Sequence, residues 1–137
     1  IDPNYDGVNW VIDEDTADLE SLGTMTIDAY LFDAADVDTY VFTAHDSLFD
    51  AGFDIDISNV PPTVDIALEI DYIDENGSLT PNIVTHNAGG PGVTEATCLG
   101  EFGTCANTGY ETGTYIVRVY SLGGSDCSAP YELEIRD

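Results

Sequence analysis

Apolar and polar residues alternate one for one along much of this chain, and a period of two belongs to extended strand, not to helix. From Thr63 to Tyr72, Val64, Ile66, Leu68, Ile70 and Tyr72 fall on one side, with Asp65, Ala67, Glu69 and Asp71 on the other as a solvated acidic face. Phe53, Ile55 and Ile57 alternate with Asp54 and Asp56. Tyr115, Val117 and Val119 alternate with Ile116, Arg118 and Tyr120, and Tyr131, Leu133 and Ile135 with Glu132, Glu134 and Arg136. Further strands are expected near residues 22–31, 38–44, 82–86 and 104–108. Turn signals separate them, among them Ala51-Gly52, Pro61-Pro62, Glu75-Asn76-Gly77, Thr112-Gly113 and Gly123-Gly124. Residues 87–112 are the least regular stretch and read as a long surface loop. Short strands with frequent turns and no sustained 3.6 period predict an all-β fold: a single-domain antiparallel β-sandwich, jelly-roll-like.

Charge narrows the choice of partner. The 137 residues carry 27 acids against two arginines and no lysine, a formal charge of −25, yet 43% are hydrophobic. That is enough apolar matter for a core, so the chain is not a disordered acidic tail. Nucleic acid and anionic membrane would be repelled. No apolar run approaches the roughly 18 residues of a membrane span, so no membrane insertion is expected. Metal cations, a basic partner or a salt-rich habitat suit such a surface. Acids at alternate strand positions oppose like charges across a sheet, at a few tenths to about 1 kcal/mol per direct pair. Bound cation or salt would relieve this, although most of these carboxylates are read as simply solvated.

Residues 2–13 have the spacing of a calcium-coordinating loop: Asp2, Asn4 and Asp6-Gly7, Val8 at the seventh position, and Asp13 at the twelfth. Calcium takes oxygen ligands, and this chain has many. Asp13 is shorter than the usual Glu, and no helical periodicity flanks the loop, so the context is extended chain. The plainer reading is an acidic turn near the N-terminus. Residues 1–21 form an acidic segment ahead of a sandwich over residues 22–137. Within that segment Val8, Trp10 and Ile12 alternate, which predicts a short strand. It would pair within its own domain or be donated to the sheet edge of a second copy. A chain that starts at Ile1 is read as processed or trimmed.

The cysteines are Cys98, Cys105 and Cys127, with no C-x-x-C pair, which argues against zinc or dithiol redox chemistry. One disulfide and one spare thiol are expected of an exported chain. Cys98–Cys105 is the preferred pairing; Cys127 with either of the others, or three reduced thiols, are the alternatives. Chemistry that would mark an enzyme is missing from the sequence: there is no G-x-S-x-G and no H-E-x-x-H. His45 reads as a turn residue, and His86 as a structural residue at the end of a strand.

Three segments resemble a known family. Asp36-Val37-Asp38-Thr39-Tyr40-Val41-Phe42 is similar to the D-x-D-x-Y-x-F strand of bacterial pre-peptidase C-terminal domains. Gly113-Thr114-Tyr115-Ile116-Val117-Arg118-Val119 resembles their G-x-Y-x-V-x-V strand, and Tyr131-Glu132-Leu133-Glu134-Ile135 their closing Y-x-L-x-I strand. The resemblance covers about residues 22–136 and implies a secreted, non-catalytic jelly-roll-like sandwich. The family includes the collagen-binding modules of bacterial collagenases. In its calcium-binding members, acids of the N-terminal linker join an Asp pair; Asp36 and Asp38 match that pair, and Asp13 and Asp15 fall where the linker acids would lie. The loop over Asp2–Asp13 and the long segment over 87–112 depart from the family pattern.

The function expected from all this is a non-enzymatic, secreted, calcium-binding module for extracellular assembly or adhesion in a matrix, a filament or a cell surface. The alternative is a substrate-targeting, polymer-binding accessory domain of a secreted hydrolase. A carbohydrate-binding module that stacks sugars on Trp10, Tyr30, Tyr110 or Tyr120 is a third reading.

Overall fold

In the computed structural model the described residues are 9–11 (backbone only), 24–44, 53–99 and 112–136. Nine strands are described: β1 (Asn9–Val11), β2 (Thr24–Leu31), β3 (Val37–Ala44), β4 (Phe53–Ser58), β5 (Asp65–Asp74), β6 (Leu79–His86), β7 (Glu95–Leu99), β8 (Gly113–Gly123) and β9 (Asp126–Arg136). They form two sheets, ordered β1-β3-β8-β5-β6 and β2-β9-β4-β7. Every pairing is antiparallel except that of β1 with β3, which is parallel. The protein is thus an all-β, open, two-sheet sandwich, as the alternation predicts.

The inward faces are those the sequence pattern assigns. Ile66, Leu68, Ile70 and Tyr72 of β5 and Tyr115, Val117 and Val119 of β8 meet Ile55 and Ile57 of β4 and Tyr131, Leu133 and Ile135 of β9. Each such aliphatic side chain removed from water contributes about 1.5–3 kcal/mol. Phe42 stacks on Tyr115 at a centroid distance of 5.2 Å, and Tyr72 tilts against the same ring at 5.1 Å.

Two expectations are corrected here. The stretch over 87–112 is not one continuous loop, because Glu95–Leu99 forms β7, the edge strand beside β4. Its inward positions begin with a buried glutamate, so the apolar alternation that betrays a strand is broken. The acidic face of β5 is not solvated throughout either: Asp71 is 6% exposed and Ala67 2%. The strand expected over 104–108, and His45, lie outside the described residues.

Strand directions sort the loops. Loops 32–36, 59–64, 87–94 and 124–125 gather at one end of the sandwich, because Leu31 pairs with Asp126, Val37 with Tyr120, Leu68 with His86, and Asp65 with Gly123. The β5–β6 turn, residues 75–78, lies at the opposite end, where Asp74 pairs with Gly113. At the loop end the two-residue β8–β9 link carries the chain from one sheet to the other. Gly124 makes that step at φ 82°, and a Cβ there would collide with the Thr63 carbonyl oxygen.

Candidate functional site

Asp36 and Asp38 sit at the loop end, on the β2–β3 corner and the first turn of pleat in β3. The corner is built by side-chain-to-backbone hydrogen bonds. Asp33 Oδ1 accepts from the Ala35 N–H at 2.7 Å, and the Asp36 N–H donates to the Asp33 carbonyl at 3.2 Å. Asp36 Oδ2 in turn accepts from the Phe32 N–H at 2.8 Å. The result is a carboxylate only 7% exposed. Two residues on, Asp38 is 2% exposed and points toward the opposite sheet, where Tyr131 donates to its Oδ2 at 2.5 Å. Tyr40 lies 2.6 Å from the same phenol oxygen. With the Tyr131 proton directed at Asp38, Tyr40 is the donor to Tyr131. Burial, reinforced by Tyr40 and the Asp38 carboxylate, raises the Tyr131 phenol well above its ordinary pKa. It remains a protonated donor at any physiological pH.

Two carboxylates buried this deeply are costly unless their charge is met. The hydrogen bonds just described come from neutral donors, and the chain's two arginines are engaged elsewhere. On the outer face of the β1-β3-β8-β5-β6 sheet, Arg118 holds Asp71 through both carboxylate oxygens, at 2.7 and 2.9 Å, and reaches Glu69 at 3.6 Å. The Arg118 hydrogen bonds hold Asp71 below its ordinary pKa, with the Asn82 N–H assisting against the opposing effect of burial. On the outer face of the other sheet, Arg136 pairs with Asp56, with Glu134 at 2.9 Å and with Asp54 at 3.8 Å. Each arginine therefore sits amid the like charges that strand alternation brings together.

Of the residues expected from the sequence to hold a cation, Asp36 and Asp38 are described, and both are buried at this corner. No group of three or more His, Cys, Asp or Glu that could hold a metal is found among the described residues. Asp2, Asn4, Asp6, Val8, Asp13 and Asp15 lie outside the described residues. Because Asn9 pairs in parallel with Thr39, and Val11 with Val41, the chain enters β1 from the end of β3 that carries Asp36 and Asp38. Asp2, Asn4, Asp6 and Val8 precede that entry, whereas Asp13 and Asp15 follow the exit. β1 is a three-residue strand in the expected stretch.

One buried cluster escaped the sequence reading. Glu95, 0% exposed, accepts from the Ala88 N–H at 2.5 Å and stands 2.8 Å from His86 Nδ1. His86 ends β6 and Glu95 begins β7, the edge strands of opposite sheets, so the pair fastens the open side of the sandwich. His86 stands at the strand end where the sequence places it, bonded to Glu95. Of the proposed sugar platforms, Tyr30 is half-buried, and Tyr120 donates to Glu69 at 2.9 Å; the Trp10 and Tyr110 side chains lie outside the described residues. Cys127 is a free, exposed thiol and Cys98 is not free, which removes both pairings through Cys127; Cys105 is not described. Among the described residues no helix is long and apolar enough to cross a membrane.

Against known proteins, no family model and no curated protein matches this chain. Solved structures do. The chain is similar in fold to the pre-peptidase C-terminal domain of a collagenase from Bacillus anthracis, at a TM-score of 0.59 and 16% identity, over 97% of this chain and 99% of that domain. The fold named by the three strand motifs is the fold the protein has. Weaker likenesses are to a Yersinia pseudotuberculosis mitogen, at a TM-score of 0.46 and 8% identity over 82% of this chain and 84% of that one, and to a surface-associated copper-binding protein of Methylomicrobium album, at 0.43 and 8% over 94% and 96%.

Proposed function

We propose that this chain is a non-enzymatic accessory module of an extracellular protein, holding its parent or its partners on a polymeric substrate. The observation that supports it is the likeness to a collagenase's pre-peptidase C-terminal domain over nearly the full length of both chains. A secreted setting agrees with a disulfide between Cys98 and Cys105, which we include in the proposal. The test is co-sedimentation with insoluble collagen, chitin and cellulose. Pelleting with the protein fibre is the expected result. Pelleting with a polysaccharide alone would favour the carbohydrate-binding reading, and a folded protein that stays in solution with all three would overturn both.

A second reading, calcium-supported self-assembly or adhesion, is favoured by two observations: the burial of Asp36 and Asp38, and the entry of β1 from their end of β3. Calcium would bring positive charge to these two buried carboxylates. Asp36 and Asp38 would hold it together with oxygens from the segment that bears Asp2, Asn4, Asp6 and Val8, with Asp13 and Asp15 as the further candidates. A ligand that binds only the folded state stabilises it by about 2.7 kcal/mol at a hundredfold excess over Kd. Millimolar calcium should therefore raise Tm by several degrees, and Asp38→Asn should abolish the rise. An equal rise in sodium chloride of matched ionic strength would reduce the effect to screening.

The partner in that assembly would be a second copy, receiving β1 on its own β3. Twelve residues separate Val11 from Thr24, and at about 3.3 Å each they reach roughly 40 Å, more than the ~10 Å between packed sheets. The linker is thus long enough for exchange between copies. In a Cys127→Ser background, mixed Asn9→Cys and Thr39→Cys single variants should form an interchain disulfide. An intrachain bond in the double variant with none in the mixture would leave β1 at home and sink the assembly.

A further inference from the structure

We propose that Asn76 is an N-glycosylation site. Asn76-Gly77-Ser78 matches the N-x-S/T acceptor pattern, whose chemistry needs an exposed asparagine amide with a hydroxyl two residues on. The structure supplies the presentation that a bare motif lacks. All three residues are exposed, at the tip of the β5–β6 hairpin. Asp74 organises the turn: its Oδ1 accepts from the Asn76 N–H at 2.9 Å and the Ser78 N–H at 2.8 Å. Its carbonyl accepts from the Gly77 N–H at 2.9 Å, and its own N–H donates to the Ser78 carbonyl at 3.1 Å. Gly77, at φ 79° with open space where a Cβ would stand, closes the turn without crowding it. The backbone is fixed while the Asn76 amide and the Ser78 hydroxyl take part in none of these bonds, so an enzyme can engage both without unfolding the hairpin.

The donor class is a lipid-linked saccharide, delivered by a membrane-bound oligosaccharyltransferase. Asn76 Nδ2 attacks the anomeric carbon; the C–O bond to the lipid phosphate or pyrophosphate breaks. The released lipid phosphate carries away the bonding pair, and Nδ2 gives up one proton to base. The product is an N-glycosidic amide, with no change of oxidation state. The glycan would stand at the opposite end of the sandwich from Asp36, Asp38 and the four clustered loops, leaving that end clear. It would also lie beside Leu79, a side chain 55% exposed, whose apolar surface a saccharide face covers.

The assignment rests on the extracellular reading, and the test separates the two. The protein is recovered from its native host's culture medium and from the cells, and its intact mass and Asn76 peptide are measured. Secreted protein should carry saccharide increments on the Asn76 peptide and lose them, as a drop in intact mass, on enzymatic deglycosylation. Ser78→Ala should leave the Asn76 peptide without saccharide, and Ser78→Thr should keep the glycan. Secreted protein with an unmodified Asn76 peptide, or a glycan that survives Ser78→Ala, overturns the site. Protein found only inside the cell overturns the extracellular reading itself.

Discussion

The Tyr131 hydroxyl, on β9 of one sheet, donates across 2.5 Å to Asp38 Oδ2, on β3 of the other. A buried charge and a buried phenol thereby tie the two layers together beside the candidate cation corner. Tyr131→Phe removes the only proton in this bond and should cost about 1.5–3 kcal/mol by chemical denaturation, the range for a hydrogen bond to a charged group. Tyr40→Phe removes a neutral bond and should cost about 1 kcal/mol. Equal losses would show that Asp38 does not carry its charge in the folded protein.

The same pair sets an alkaline limit. Burial, first of all, raises the Tyr131 phenol well above the 10.0 of an ordinary tyrosine. Its contribution is therefore complete below about pH 10 and is lost as pH climbs toward the folded value, because only the unfolded chain then releases the proton. Denaturation midpoints measured from neutral pH upward should fall beyond pH 10, and Tyr131→Phe should flatten that fall.

At the acid end the sign reverses. Asp71 is held below the 3.8 of an ordinary aspartate by its hydrogen bonds to Arg118. That contribution is present above about pH 3.8 and disappears as pH drops through the lower folded value. Arg118→Met should cost about 2–3 kcal/mol near neutral pH, since it strands Asp71 with its charge largely out of water. The acid limb of the stability curve should become shallower in the variant.

Glu95 should matter more than its partner. Glu95→Ala removes the shared partner of His86, whose side chain is 35% exposed, and of the N–H of the exposed Ala88, for an expected loss of about 1–2 kcal/mol. His86→Ala leaves the Ala88 bond in place and should cost less. Amide exchange at Ala88 should accelerate in the first variant and not in the second.

Two glycines with left-handed backbone should respond differently. Gly77→Ala, with open space at its Cβ, should cost about 1–2 kcal/mol for the conformation alone. Gly124→Ala adds the collision with the Thr63 carbonyl and should cost about 3 kcal/mol or more. Thermal melts of the two variants give the comparison directly.

What the sequence determined by itself is the layering. A period of two can be satisfied only by strands with one face inside, so the inward residues of β4, β5, β8 and β9 were legible from alternation. The Asp36 and Asp38 corner was legible through its motif, because an acid pair ahead of an aromatic strand is a local signal. What only the tertiary structure decided is what lies against each face. Alternation put Asp71 on the outer side of β5 but could not supply Arg118, which comes from a neighbouring strand more than forty residues away and turns a solvated acid into a partly buried ion pair. β7 was hidden for the matching reason: its inward position is Glu95, and a glutamate is compatible with the interior only once His86 and the Ala88 N–H arrive from another part of the chain. Local periodicity reports how a segment meets water. Whether a charge can leave water depends on a partner that the fold brings to it.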